Sequence, residues 1–215
     1  MRIPLTEALR LYLVTDRASL LGRTLTDVVL AAVQGGVRCV QLREKTLSTR
    51  ELVALALAVK DLLAPFNVPL IINDRLDVAL ACGAAGLHLG QSDMPVTLAR
   101  QLLPPDVLIG LSVENLGDVA RAAGQPVDYL GISPVFATPT KTDTAVPWGL
   151  AGLRQVRALT GLPLVAIGGI HQGNAAEVLQ AGADGLAVVS AICSAADPGA
   201  AAQCFKQILR APQAS

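Results

Sequence analysis

Three observations predict an α/β fold, a compact closed (β/α)8 barrel of the TIM type. Short β-rich apolar runs alternate with longer runs whose apolar residues recur at helical spacing. Eight such pairs fit into the chain, and the residues after nearly every short run are polar. With 215 residues, each of eight units has about 27, close to the lower length of about 200 for this barrel, so its loops must be short. No Ser/Gly linker or charge block divides the chain, and residues 1–215 read as one domain. A doubly wound open sheet would need G-x-G-x-x-G after the first strand, where this chain has Thr15, Asp16, Arg17 and Ala18.

The first strand is expected over 11–15, ending at Asp16 and Arg17. A helix follows over 24–34, closed by Gly35 and Gly36, since glycine tolerates the left-handed end of a helix. Strand two, 37–42, runs into Arg43, Glu44 and Lys45 before a helix over 48–64 that Ser48 can cap. Strand three, 69–72, ends at Asn73, Asp74 and Arg75, with a helix over 75–82 stopped by Gly83. Strand four, 86–89, contains His88 and ends at Gly90, Gln91, Ser92 and Asp93, before a helix over 95–103. Strand five, 107–111, ends at Ser112 and leads to a helix over 114–123. Strand six, 129–132, opens a long loop with Thr138, Pro139, Thr140 and Lys141, then a helix over 149–159. Strand seven, 164–167, ends in Gly168 and Gly169 and leads to a helix over 173–181, closed by Gly182. Strand eight, 185–189, ends at Ser190 before a helix over 198–209, so each strand is expected to be followed by one helix.

Composition narrows the partners. A 52% hydrophobic chain with 16% charge can bury a large core, which excludes disorder. Seventeen basic residues balance seventeen acidic ones, and aromatics make up 3%, so neither a field nor a stacking platform for nucleic acid is present. The longest apolar stretches, such as 52–59, fall short of the roughly 20 residues of a membrane helix. Arg2, Pro4 and Glu7 fit no secretory signal, and the cytoplasm is the default location. Cys39, Cys82, Cys193 and Cys204 form no C-x-x-C pair and are read as plain thiols rather than zinc ligands or disulfides. Small-molecule ligands remain, and no surface stripe names an oligomeric state.

In a barrel of this kind the loops after the strands build the chemistry. Alternation along an extended chain turns Gln41, Arg43 and Lys45 to one side, toward the mouth, where they make an anion site with Asn73 and Lys141 around it. Asp74 and Asp93 end adjacent strands and can serve a magnesium ion, which is commonly held by one or two carboxylates and substrate phosphates. The alternative is that Asp74 caps a helix and Asp93 sits in a turn. Cations, carboxylates and magnesium together suit a diphosphate. Gly168, Gly169 and Ser190 occupy the usual phosphate position of the fold, without cationic side chains, unless the glycines serve only a tight turn. Two phosphorylated ligands meeting at one mouth suit a group transfer in which diphosphate departs, its charge met by Arg43, Lys45, Lys141 and magnesium. No strong general base is evident, and His88 reads as a satisfied layer residue.

The ordered motifs carry a resemblance. Leu11 to Asp16, Gln41 to Lys45, Ile72 to Arg75, His88 to Gln91 with Asp93, Pro134 to Phe136 with Thr138 to Lys141, Ala166 to Ile170, Gly182 to Gly185 and Val189 to Ile192 together resemble the thiamine phosphate synthase family. The resemblance implies a transferase of thiamine biosynthesis. Such enzymes join 4-amino-2-methyl-5-(diphosphooxymethyl)pyrimidine to a thiazole phosphate by a dissociative route and release diphosphate. It implies that Gln41, Leu42, Arg43, Glu44, Lys45, Asn73, Ser112 and Lys141 hold the pyrimidine diphosphate, with Arg43, Lys45, Lys141 and Ser112 as catalytic residues. Asp74 and Asp93 would hold Mg2+, and Thr138, Pro139, Thr140, Gly169, Val189 and Ser190 the thiazole phosphate. Ser133 stands where many relatives have glycine, and Val113 and Glu114 where a histidine is common. A thiazole tautomerase of the same fold, a non-catalytic module binding the same phosphates, and a Schiff-base aldolase acting through Lys45 are the competing readings.

Overall fold

Eight apolar runs of four to six residues become the strands: β1 Leu11–Val14, β2 Cys39–Leu42, β3 Leu70–Asn73, β4 Gly86–Leu89, β5 Leu108–Val113, β6 Tyr129–Ile132, β7 Leu164–Ile167 and β8 Gly185–Val188. All neighbours pair in parallel, and β8 returns to β1 to close the barrel. Parallel strands covered by helices outside and side chains inside are buried on both faces, which is why they read as near-continuous apolar runs. The computed structural model describes residues 4–138 and 146–211.

Alternate positions separate two cores. Leu13, Val40, Leu42, Ile72 and Leu87 face outward, into the large cluster shared with the helices. Tyr12, Val14, Cys39, Ile71, Tyr129, Val165 and Ala187 face the barrel axis and pack with Leu9. The helices are α1 Leu5–Leu9, α2 Leu25–Gly35, α3 Thr49–Leu63, α4 Leu76–Cys82, α5 Val96–Leu102, α6 Leu116–Ala122, α7 Gly149–Leu159, α8 Ala175–Gln180, α9 Ser190–Cys193 and α10 Pro198–Arg210. Ser48 and Glu51 form a reciprocal capping box at α3, worth about 1 kcal/mol. On α10, Asp197 accepts the Ala200 N–H at 2.9 Å and Pro198 takes the first turn. Phe205 of that helix is fully buried, and its truncation to alanine would cost about 3–5 kcal/mol.

Four differences from the expected elements have local causes. α1 precedes β1 and packs Leu9 into the inner core, though Pro4 supplies no side-chain cap that would announce it. A 3-10 turn over Arg17–Leu20 separates β1 from α2. The one-helix rule fails after β8, where the four-residue α9 comes before α10, and Val189 leaves the strand with φ −112° and ψ −93°. Ser112 does not follow β5 but lies within it, opposite Gly131 of β6.

Candidate active site

The exit of β2 shows how alternation builds the site. Gln41, Arg43 and Lys45 line a cavity of about 370 Å³ at the barrel mouth, together with Asn73, Asp93 and Ser112. Leu42 and Glu44, between them, point the other way. Leu42 is 1% exposed in the outer core, and the Glu44 carboxylate takes the Arg17 Nε–H at 3.2 Å. Glu44 Oε1 has no hydrogen-bond partner among the described residues. The side chains of Leu42 and Glu44 therefore do not line the cavity, because a two-residue period sends them outward, and it is their backbone that runs between the cavity-lining neighbours.

Asp74 adopts the left-handed conformation, φ +51°, at the end of β3. Its Oδ2 accepts from Asn73 Nδ2 at 2.6 Å and from Lys45 Nζ, so the carboxylate is joined to two cavity-lining residues. It caps no helix: α4 starts after Arg75 with no side-chain cap. Asp93 lines the cavity and accepts the Gly90 N–H at 2.6 Å. Lys45 is about half exposed, and an ion pair in that setting contributes no more than about 1 kcal/mol, so its charge stays available to a ligand.

The cavity floor is polar where an ordinary barrel layer would be aliphatic. Gln41 Nε2 donates to Tyr12 Oη at 2.9 Å, and Tyr12 Oη lies 2.9 Å from Tyr129 Oη. His88 Nδ1 is 3.0 Å from Tyr129 Oη, and its Nε2 is 2.9 Å from Ser112 Oγ. Burial foremost pushes both tyrosines well above their usual pKa, with Tyr12 raised further by the charge of Tyr129. His88 is thus the satisfied layer residue expected, but it also lines the cavity, as do Tyr12, Tyr129, Gln91, Glu114 and Ser133. The inward parity of Gln41, extended across the strands, is the signal that would have found Tyr12 and Tyr129.

A second cavity, of about 90 Å³, opens between the exits of β7, β8 and β1. Gly168 and Gly169 line it at φ +99° and +64°. A Cβ at Gly168 would lie 2.7 Å from Pro134 Cβ, and one at Gly169 would lie 2.7 Å from Phe136 Cβ and 2.9 Å from the Ala137 carbonyl. The segment after β6 presses this close because Val135 N donates to Ile167 O at 2.8 Å and Phe136 N to Gly168 O at 3.0 Å. Thr138, Val189 and Ser190 line the same space, and so does Arg43. The expectation of a phosphate site without cations is thereby corrected: closing the barrel brings β2 within reach of β8, and one guanidinium borders both cavities. Pro139, Thr140 and Lys141 lie outside the described residues.

Arg23 braces this wall from behind. Its Nη2 donates to Cys193 O at 2.7 Å and its Nη1 to Ala195 O at 2.8 Å, while Nε holds Leu20 O at 3.1 Å. Ser194 Oγ adds a bond to Ser19 O at 3.1 Å. The first and last loops of the barrel are thus tied together beside Asp16 and Ser190.

Comparison with known proteins agrees with this geometry. Residues 11–192 match the family model described as thiamine monophosphate synthase. The chain is 72% identical over 205 residues to a thiamine-phosphate synthase of Albidiferax ferrireducens, covering 95% of this chain and 94% of that one. It is 52% identical to the Vibrio campbellii thiamine-phosphate synthase, covering 94% and 99%. A solved thiamine phosphate pyrophosphorylase from Pyrococcus furiosus superposes with a TM-score of 0.88 at 36% identity, covering 96% of this chain and 98% of that one. Since the match spans all eight strands and every loop that builds the two cavities, the chain belongs to the thiamine monophosphate synthase family.

Proposed function

We propose that the protein condenses 4-amino-2-methyl-5-(diphosphooxymethyl)pyrimidine with a thiazole phosphate, giving thiamine phosphate and diphosphate. The observation that carries this reading is the pair of adjoining cavities with Arg43 common to both: a larger cationic one and a smaller one walled by glycine backbone. Gln41, Asn73 and Ser112 would hold the pyrimidine, and Arg43 and Lys45, with Lys141, its diphosphate. Gly169, Val189, Ser190 and Thr138, with Pro139 and Thr140, would hold the thiazole phosphate.

Among the described residues no cluster of three or more His, Cys, Asp or Glu is present. Asp93 in the cavity and Asp74 beside it are nevertheless hard oxygen donors, a set that fits Mg2+ completed by substrate phosphate oxygens. Such an ion supplies neutralisation of the diphosphate. The chain's own contribution is electrostatic. As the carbon–oxygen bond to diphosphate breaks, the Arg43 guanidinium and Lys45 ammonium meet the charge gathering on the departing oxygens. The thiazole nitrogen then bonds to the pyrimidine methylene carbon, and no side chain has to remove a proton. Asp93 in the cavity and Asp74 beside it favour this transfer over a tautomerase, which has no diphosphate to neutralise.

Four free thiols, three of them buried, suit a reducing compartment such as the cytoplasm. No helix among the described residues is long and apolar enough to cross a membrane. Purified protein incubated with both substrates and magnesium is expected to form thiamine phosphate and diphosphate in equal amounts. Binding of both without product would leave only a non-catalytic module.

A further inference from the structure

The hydrogen bonds across the cavity floor form a chain in which each link carries one proton. Tyr12, Tyr129 and Ser112 have one hydroxyl hydrogen each, and a neutral imidazole has one N–H, so fixing one end fixes the rest. Gln41 Nε2 donates to Tyr12, which leaves the Tyr12 hydrogen for Tyr129 at 2.9 Å. Tyr129 is fully buried, and a hydroxyl hydrogen with no acceptor there would be costly, so it goes to His88 Nδ1 at 3.0 Å. An imidazolium would remove that acceptor. The His88 proton therefore sits on Nε2 and is given to Ser112 Oγ at 2.9 Å.

Left over at the ends are the Ser112 hydroxyl hydrogen and, on Gln41, the carbonyl oxygen with the second amide N–H, and both residues line the larger cavity. The cavity thus offers a donor and an acceptor. Reversing every bond would offer the amide N–H and a serine lone pair instead. β5 and β6 keep the rings in place: a Cβ at Gly110 would lie 2.2 Å from Tyr129 Cζ and 2.5 Å from His88 Nδ1, and one at Gly131 would lie 3.1 Å from His88 Cε1.

We infer that Tyr12, Tyr129 and His88 are positioning residues that set this polarity, so that the cavity accepts a ring edge with an amino donor beside a ring-nitrogen acceptor. The 4-oxo edge, with donor and acceptor exchanged, is rejected. The inference rests on the reading that this cavity takes the aminopyrimidine.

The chain has two histidines, so protein labelled with 15N-histidine gives a simple spectrum, assigned with a His171→Gln variant. His88 is expected as the Nε2–H tautomer; the Nδ1–H tautomer overturns the direction of the chain. Affinity for the aminopyrimidine monophosphate and its 4-oxo counterpart, neither carrying the leaving diphosphate, reads the selectivity. Tyr129→Phe cuts the chain and is expected to lower the amino-to-oxo preference by about tenfold or more. Tyr12→Phe, which cuts it one link earlier, is expected to do the same and serves if Tyr129→Phe does not fold. A purely structural role would weaken both ligands alike, and an unchanged ratio in a folded variant overturns the inference. Gln41→Ala separates the two levels. If it leaves aminopyrimidine monophosphate affinity intact, the cavity assignment and the selectivity fall together, while the tautomer still decides the chain's direction.

Discussion

The two cavities at the barrel mouth are made of different materials. The larger is lined by residues from all eight strands, with Arg43, Lys45, Asp93 and Glu114 providing charge, whereas the smaller takes part of its wall from the glycine backbone after β7 and from Val189 and Ser190 after β8. Side chains can be removed singly, but a backbone donor can only be displaced. The larger cavity should therefore fail by loss of charge and the smaller by intrusion of volume, with Arg43 the point at which the two cannot be separated.

Arg43→Ala tests that shared point and should have the largest effect. Turnover is expected to fall by roughly 10³, with KM rising for both substrates. A rise for one substrate alone would assign Arg43 to a single cavity. Gly169→Ala is the volume test, since the added carbon meets Phe136 and Ala137 and the backbone must move. KM for the thiazole phosphate should rise about tenfold while that for the pyrimidine diphosphate stays put; equal changes in both would erase the distinction. Asp93→Asn keeps an acceptor for the Gly90 N–H while removing a charge from the larger cavity. The magnesium concentration for half-maximal activity should rise about fivefold, and titrations that overlay those of the parent would end the ligand role.

The smallest effect concerns the floor beneath the cavities. Tyr12 and Tyr129 are buried and their pKa values lie well above the ordinary 10, so above about pH 10 the native chain retains protons that the unfolded chain loses. Stability should be level near neutrality and fall as pH rises beyond about 10. Tyr12→Phe should make that fall shallower in urea melts, and an unaltered slope would mean that Tyr12 does not contribute.

Strand positions were legible because each is a short apolar run between polar or glycine punctuation, and the polar side of β2 followed from parity. What could not be read depended on closure or on length. Arg43 borders the small cavity only because β8 meets β1, which no local pattern states. His88 looked self-contained in sequence, yet its partners are Tyr129, 41 positions later, and Ser112, 24 positions later. α1 and α9, at five and four residues, are too short to show a 3.6-residue period. Within the contiguous motif at β2, the parity that places the Arg43 side chain inside places those of Leu42 and Glu44 outside.

The Arg23 guanidinium comes from the first βα connection and its acceptors, Cys193 and Ala195, from the last. Donor and acceptors lie some 170 positions apart in the chain, so one wall of the smaller pocket, with Val189 and Ser190 on it, is fastened by a contact between the two extremes of the barrel's order of assembly.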